Sequence, residues 1–185
     1  MKMLSVLFVL TFMVGMSPSQ TPEDAANQFY SFVLSSRYQS CLPDGSQLDR
    51  LSPFMSKRLT DLLRDALIYR ERYAKQHPPE FRKDSPPIFY KPPFSDGDCF
   101  SSNVEGVTRF KLGKSKEAQN GFRIDLVLAY IDSMKSKEVP EPFEWIDTIV
   151  VVREGDRFVV DDIEFGGNWP YGNHGSLSKL LKARD

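Results

Sequence analysis

The sequence predicts an α+β fold, in which N-terminal helices pack on a strongly bent antiparallel sheet of about four strands and a short helix ends the chain. Three observations predict it. Apolar residues recur at helical spacing in the first half, and from Val104 onward the period changes to two, which is typical of strands. Between the halves, residues 78–93 hold six of the thirteen prolines, a composition that regular helices and central strands exclude.

Length and composition are those of an ordinary soluble domain. The chain has 185 residues, of which 41% are hydrophobic and 26% charged, and its formal net charge is −1. These values exclude a disordered tail, a collagen and a multi-pass membrane protein. No nucleic-acid partner is expected, because the near-neutral charge lacks the basic balance typical of that class.

The first residues have the pattern of a secretory signal peptide. Lys2 supplies a charged start, and residues 4–14 form an apolar run that is too short to span a bilayer. Two small residues, Ser17 and Ser19, follow at the spacing of a cleavage site. We therefore predict a signal peptide over residues 1–19, with an uncleaved anchor or a buried helix as the alternative.

Cleavage after Ser19 leaves residues 20–185 as a single domain that is periplasmic or secreted and has no membrane span. The exported chain has two cysteines, Cys41 and Cys99. Because an even number of cysteines in an oxidising compartment favours pairing, we predict one disulfide between them. The bond would tie the end of the first helical region to the start of the sheet. Two unpaired thiols are the alternative.

Two helices are predicted before the proline-rich stretch. The first begins at Thr21, which can cap it, with Pro22 at the first helical position. Its apolar face consists of Ala26, Phe29, Tyr30 and Val33. A turn is expected at residues 43–45, and the second helix begins near Ser52-Pro53, another cap followed by proline. Its buried side holds Leu59, Leu62, Leu63, Ala66 and Leu67.

The proline-rich connection of residues 78–93 is predicted to be an irregular loop. Its prolines lack the P-x-x-P spacing of a polyproline ligand. A lid over a pocket is the functional alternative. We expect the loop to pack on the domain surface through Phe81, Ile88, Phe89, Tyr90 and the neighbouring Phe94.

The second half predicts four strands and one helix. The strands are expected at residues 107–112, 122–130, 145–153 and 158–165. Asn120-Gly121 is a hairpin signal between the first two, and Gly155-Asp156 is a turn between the last two. Ser176 is expected to cap the short final helix.

No strong catalytic or metal-binding motif is present. The two histidines of the chain, His77 and His174, do not form an H-E-x-x-H pair. They also do not combine with the two cysteines in the spacing of a zinc finger. The G-x-S-x-G, P-loop and G-x-G-x-x-G patterns are absent as well. The sequence therefore indicates no metal and no cofactor, and it favours a binding protein over an enzyme.

Two carboxylate features are the candidates for catalysis. Asp161 and Asp162 are adjacent on a strand, so their side chains point to opposite faces and cannot share a proton unless a bulge intervenes. Asp132 continues the apolar face that ends at Tyr130. A carboxylate beside aromatic rings can serve as a general base, with Tyr130 as a hydrogen-bond donor. The interpretation that we favour for Asp132 is a strand-end residue bonded to loop amides.

Aromatic residues mark a candidate ligand-binding region. Trp145 and Asp147 share one strand face, although this strand alone does not tell which face is concave. Residues 168–175 form an aromatic, glycine-rich loop. Its candidate ligand contacts are Trp169, Tyr171 and His174. The interpretation that we favour for this loop is a chain reversal whose two large aromatic side chains pack on the sheet edge.

Residues 51–59 (LSPFMSKRL), 98–106 (DCFSSNVEG) and 145–165, with its WIDT and VDDI motifs, resemble a family of exported bacterial domains. That family is a domain of unknown function with a nuclear-transport-factor-2-like fold, and the likeness covers residues 21–183. It implies a cone of helices against a bent sheet, with room for a pocket, and it carries over no catalytic residue. Phe158 departs conservatively from the tryptophan that the family often has there.

These observations lead to one hypothesis and two alternatives. We expect a non-catalytic exported domain that binds a small ligand or a partner in the cell envelope. The first alternative is a pocket enzyme of the isomerase or dehydratase kind, with an aspartate as base. The second is a protein-interaction module of the immunity type.

Overall fold

The computed structural model describes residues 20–36, 40–82, 85–131 and 142–183. The predicted signal peptide, residues 1–19, lies outside the described residues. Within them, no helix is both long and apolar enough to cross a membrane. The fold is α+β, as predicted, with helices packed against an antiparallel sheet that is curled but not closed.

Helix α1 spans Pro22–Ser36, and its start follows the sequence prediction. The Thr21 hydroxyl accepts a hydrogen bond from the amide of Asp24 at 3.1 Å, which confirms the predicted cap. The expected apolar face of α1 is buried against the sheet and comprises Ala26, Phe29, Tyr30 and Val33.

Helix α2, at Gly45–Leu51, occupies the place where the sequence predicts only a turn. The Asp44 carboxylate accepts from the amide of Gln47 at 2.8 Å, and the Gln47 side chain accepts from the amide of Asp44 at 2.8 Å. This reciprocal pair is a capping box. A proline–aspartate–glycine sequence suits both a turn and a helix start, which explains the error.

Helix α3 spans Lys57–Gln76, so the prediction that it begins near Ser52-Pro53 is wrong. Ser52–Phe54 form a short 3-10 helix instead. Ser56 is the true cap, because its hydroxyl accepts from the amide of Leu59 at 3.0 Å. Four of the five side chains expected on the buried side are buried, namely Leu59, Leu63, Ala66 and Leu67.

The described part of the proline-rich connection, residues 78–82 and 85–93, is irregular, as predicted, apart from one isolated pairing of Glu80 with Ile88. Its expected packing on the domain is largely wrong. Phe81 and Phe89 are 81% and 71% exposed. Phe94 does pack against the core.

In the described part of the chain, the sheet has five antiparallel strands in sequential order, one more than the roughly four predicted. They are β1 at Arg109–Ala118, β2 at Gly121–Tyr130, β3 at Phe143–Glu154, β4 at Arg157–Phe165 and β5 at Gly175–Ser176. The additional strand is the two-residue β5, which pairs with the end of β4. A helix, α4 at Leu177–Lys182, follows with Ser176 as its predicted cap.

Strand β1 is longer than expected, because it continues to Ala118, six residues beyond the end of the predicted strand at residue 112. A bulge between Leu112 and Ser115 shifts its register with β2. The predicted hairpin at Asn120-Gly121 is confirmed. Gly121 has a φ of 141°, and a Cβ there would meet the Val151 carbonyl oxygen at 2.1 Å, so only glycine fits.

The core fills the interface between the helices and the inner face of the sheet. Phe29 and Tyr30 of α1 and Phe100 from the segment before β1 are 0% exposed. They belong to one cluster with the inner residues of β2 and β3, which are Ile124, Leu126, Leu128, Ile149 and Val151. The pairing of Leu128 with Trp145 places the latter on this face as well. The described part of this interface is therefore packed with side chains.

Cys41 and Cys99 form a disulfide, with 4.8 Å between their Cα atoms. Both residues are buried, and the bond joins chain segments 58 residues apart. The bond is consistent with an oxidising compartment. As expected, it ties the segment after α1 to the segment before β1.

Candidate functional site

Two chain segments bring aromatic side chains together at the start of β3. Phe143 and Trp145 come from the strand, and Trp169 comes from the loop between β4 and β5. Their ring centroids lie 5.4 Å apart for Phe143–Trp169, 5.8 Å for Trp145–Trp169 and 5.8 Å for Phe143–Trp145. Tyr171 follows in the same loop and is 89% exposed. We call Phe143, Trp169 and Tyr171 the aromatic surface, with Trp145 beneath it.

Two glycines let the loop close around the Trp169 indole. A Cβ at Gly167 would lie 2.4 Å from the indole ring, and one at Gly172 would lie 2.8 Å from the indole nitrogen. The amide of Gly172 donates to the carbonyl of Trp169 at 3.1 Å, which forms a turn with Tyr171 at its tip. The loop therefore presents Tyr171 to solvent from a hydrogen-bonded base.

Asp147 anchors this region from inside the sheet. Its carboxylate is fully buried and accepts from the amide and the hydroxyl of Ser102 at 2.8 and 2.6 Å. It also accepts from the amide of Gly166 at 2.8 Å and from the Trp145 indole nitrogen at 3.3 Å. With two donors on each oxygen, the carboxylate orients Trp145 and the loop, and it has no free lone-pair direction for a substrate.

The segment before β1 holds the same loop from the other side. Asn173 donates from its side chain to the carbonyls of Asp98 and Ser101 at 2.7 and 2.8 Å, and its amide donates to the Ser102 carbonyl at 2.8 Å. Because Cys99 lies between these acceptors, the disulfide and the aromatic loop are parts of one network.

Two ionisable groups in this network have raised pKa values. Burial raises the pKa of Asp98 to about 6, with a further contribution from the charge of Asp147, against the lowering effect of the Phe100 amide. Burial likewise raises the pKa of Tyr30 well above its ordinary value, and the negative charges of Asp98 and Asp147 raise it further. The Tyr30 hydroxyl donates to the Phe100 carbonyl at 3.0 Å and so serves the core.

A bulge in β4 brings the two adjacent aspartates to the same neighbour. Val150 pairs with Asp162 and the next residue of β3 pairs with Val160, which leaves Asp161 outside the register. Arg58 Nη2 lies 2.7 Å from Asp161 Oδ2 and 4.0 Å from Asp162 Oδ2. The bulge that the sequence analysis required for the two carboxylates to approach each other is therefore present. They are linked by the Arg58 guanidinium and not by a shared proton.

Other hydrogen bonds give both aspartates structural roles. Asp161 accepts from the Ser56 hydroxyl at 2.5 Å as well as from Arg58. Burial raises the pKa of Asp161, but the hydrogen bonds from Arg58 and Ser56 and the guanidinium charge outweigh it and hold that pKa below its usual value. Asp162 accepts from the amide and hydroxyl of Ser178 at 2.9 and 2.6 Å, at the start of α4.

The remaining candidates do not join this network. Tyr130 is partly buried at the end of β2 and pairs with Phe143, whereas Asp132 lies outside the described residues. His174 is exposed and has no hydrogen bond to a described residue. Across the described ranges there is no group of three or more histidine, cysteine, aspartate or glutamate residues that could hold a metal ion.

Two clefts lie outside the helix–sheet interface. One, with a volume of about 370 Å³, lies beside the β1–β2 turn and includes Asn120, Arg123 and Asp161 in its lining. The other, with a volume of about 300 Å³, lies between Tyr73 of α3 and Phe94. Neither includes a residue of the aromatic surface.

Sequence reasoning missed the residues that hold the candidate site together. Ser102 and Asn173 supply or accept hydrogen bonds across 45 and 72 residues, and Arg58 reaches Asp161 across 103 residues. The only local signal is the run of small polar residues at 101–103, next to the buried Phe100.

Comparison with known proteins found no matching family model, curated protein or solved structure.

Proposed function

We propose that the protein is a non-catalytic, exported binding domain that holds a partner of the cell envelope on its aromatic surface. The single observation that carries this proposal is the combination of exposed and anchored aromatic rings. Phe143 and Tyr171 are 53% and 89% exposed, although Asp147 and Asn173 fix the segments that present them. Exposed aromatic side chains on a rigid base are typical of protein interfaces.

A macromolecular partner is favoured over a small ligand by the shape of the site. The described inner face of the sheet packs against Phe29, Tyr30 and Phe100, whereas small-ligand sites are typically concave. A small ligand bound to the aromatic surface is the competing outcome of the test.

The hydrogen bonding of the carboxylates supports the non-catalytic part of the proposal. A general base needs a lone pair that can reach its substrate. The oxygens of Asp147, Asp161 and Asp162 are engaged by serine, arginine, amide or indole donors. Turnover of artificial substrates that a Tyr130→Phe substitution abolishes would overturn this part.

Export and the nuclear-transport-factor-2-like assignment belong to the same proposal. The disulfide between Cys41 and Cys99 supports an oxidising compartment, periplasmic or extracellular. Helices packed on a curled antiparallel sheet support the fold assignment.

Site-specific crosslinking tests the proposed surface. A photoreactive phenylalanine analogue replaces Tyr171 in one variant and Phe89, an exposed aromatic residue of the proline-rich loop, in the matched control. We expect an envelope protein to crosslink at position 171 and not at position 89. That partner, once purified, should bind Tyr171→Ala at least about 30-fold more weakly than the unsubstituted protein, which is the loss typical of a central aromatic contact.

Three outcomes would contradict the proposal. Equal crosslinking at both positions, or none at position 171, would remove the surface from consideration. A small molecule that copurifies with the protein in native mass spectrometry and is lost in Tyr171→Ala would replace the partner with a ligand.

A further inference from the structure

Strand β1 is the edge strand of the sheet, and within the described residues no other strand pairs with its free side. Its ten residues, Arg109–Ala118, pair with β2 on one side. On the other side, no backbone group of β1 is hydrogen bonded to a described residue. An edge of this kind presents a row of free N–H and C=O groups that an extended chain can pair with.

The same edge carries a concentration of unpaired positive charge. Its four basic side chains are Arg109, Lys111, Lys114 and Lys116. All four are exposed, and none forms an ion pair with a described residue. The only acid on the strand is Glu117. On β2, by contrast, Arg123 is neutralised by an ion pair with Glu164.

The strand register directs three of these cations to one face. Arg109 pairs with Ala129, Lys111 with Val127, and Lys116 with Arg123. These partners alternate with the buried inner residues of β2, so all three cations project from the outer face. Lys114 lies in the bulge that separates the two halves of the strand.

We propose that β1 accepts an extended, acidic peptide segment of a partner protein as an additional strand. Opposite charges on neighbouring strands stabilise the pairing, and like charges destabilise it. The edge therefore rejects a second copy of itself, because that would bring lysines together. The bulge between Leu112 and Ser115 divides the edge, so the added segment pairs along one half at a time. The inference does not rest on the aromatic surface, which other strands and loops supply.

Synthetic peptides added to the purified, disulfide-bonded protein test this inference. The probe is an eight-residue peptide in which glutamate alternates with valine and threonine, and the control peptide has lysine in place of every glutamate. We expect the acidic peptide alone to bind and to slow hydrogen exchange at the amides of β1. Raising the salt concentration from about 0.05 to about 0.5 M should weaken binding, because exposed charges are screened.

Matched variants separate this edge from a general preference for anions. Lys111→Glu with Lys116→Glu should weaken binding of the acidic peptide at least about tenfold, whereas Lys75→Glu near the end of α3 should leave it unchanged. Equal binding of both peptides, or no slowed exchange in β1, would overturn the inference. Binding of a sulfated polysaccharide but of neither peptide would also overturn it, since a polyanion needs no strand pairing.

Discussion

Replacing Asp147 by asparagine is the most direct test of the network beneath the aromatic surface. One carboxylate oxygen accepts from the Ser102 hydroxyl and the Gly166 amide, and the other from the Ser102 amide and the Trp145 indole. In asparagine one of these oxygens becomes an NH₂ group, which donates and so cannot accept from the two donors that it faces. Each hydrogen bond to a charged acceptor contributes about 1.5–3 kcal/mol. We therefore expect Asp147→Asn to lower the free energy of unfolding by roughly 3–6 kcal/mol.

Urea unfolding followed by tryptophan fluorescence measures this loss. The chain has two tryptophans, and both lie in the region that Asp147 organises, so emission should also shift to longer wavelength before unfolding. Asp125→Asn is the matched control, because Asp125 is partly exposed on the outer face of β2 and has no hydrogen bond to a described residue. A control of this kind changes stability by less than about 0.5 kcal/mol.

A milder variant keeps the test informative if Asp147→Asn does not fold. Ser102→Ala removes one hydroxyl that donates to Asp147 and accepts from the Gly167 amide. Its expected cost is about 1–3 kcal/mol, because it leaves buried partners unsatisfied. Stability of both variants within about 0.5 kcal/mol of the unsubstituted protein would refute the assigned role of the network.

Two further predictions concern the segment before β1. Replacing Cys41 and Cys99 together by serine should lower the free energy of unfolding by about 4 kcal/mol, because the disulfide closes a loop between residues 58 positions apart in the sequence. Urea titration measures this loss, and an unchanged unfolding midpoint would contradict it. Asp98→Asn should change the pH dependence of stability. The pKa of Asp98 in the folded protein, about 6, is above its ordinary value of 3.8. Its favourable contribution to stability is therefore complete below pH 3.8 and is lost as the pH rises through about 6. Relative to the unsubstituted protein, the free energy of unfolding of Asp98→Asn should therefore rise by up to about 3 kcal/mol between pH 4 and pH 7. Thermal unfolding of both proteins at each pH measures this change. A difference in stability that does not vary with pH would exclude this role of Asp98.

Local signals predicted most of the helices and strands, because caps, apolar periodicity and turn residues act over a few residues. The start of α1 at Thr21, the hairpin at Asn120-Gly121 and the cap at Ser176 are of this kind. Errors occurred where one local pattern fits two structures. Asp44 suits a turn and a helix cap equally, and only the partner Gln47 decides for the cap.

The candidate site was predicted only in part, since its residues come from distant parts of the chain. The aromatic content of the loop after β4 and the shared face of Trp145 and Asp147 were visible in the sequence. Their convergence was not, because contact between the two indoles depends on how β4 and the following loop return to β3. The bulge that moves Asp161 toward Arg58 likewise has no local signature in the sequence.

The amino-acid sequence alone determined the α+β class, the positions of most helices and strands, and the possibility of one disulfide. These follow from the spacing of apolar residues and from the count of cysteines, which do not depend on distant contacts. The tertiary structure alone decided which sheet face is covered, which donors saturate Asp147, and which cations of β1 form no ion pair with a described residue. Burial and hydrogen bonding between residues far apart in sequence set these features, and periodicity carries no information about such pairs.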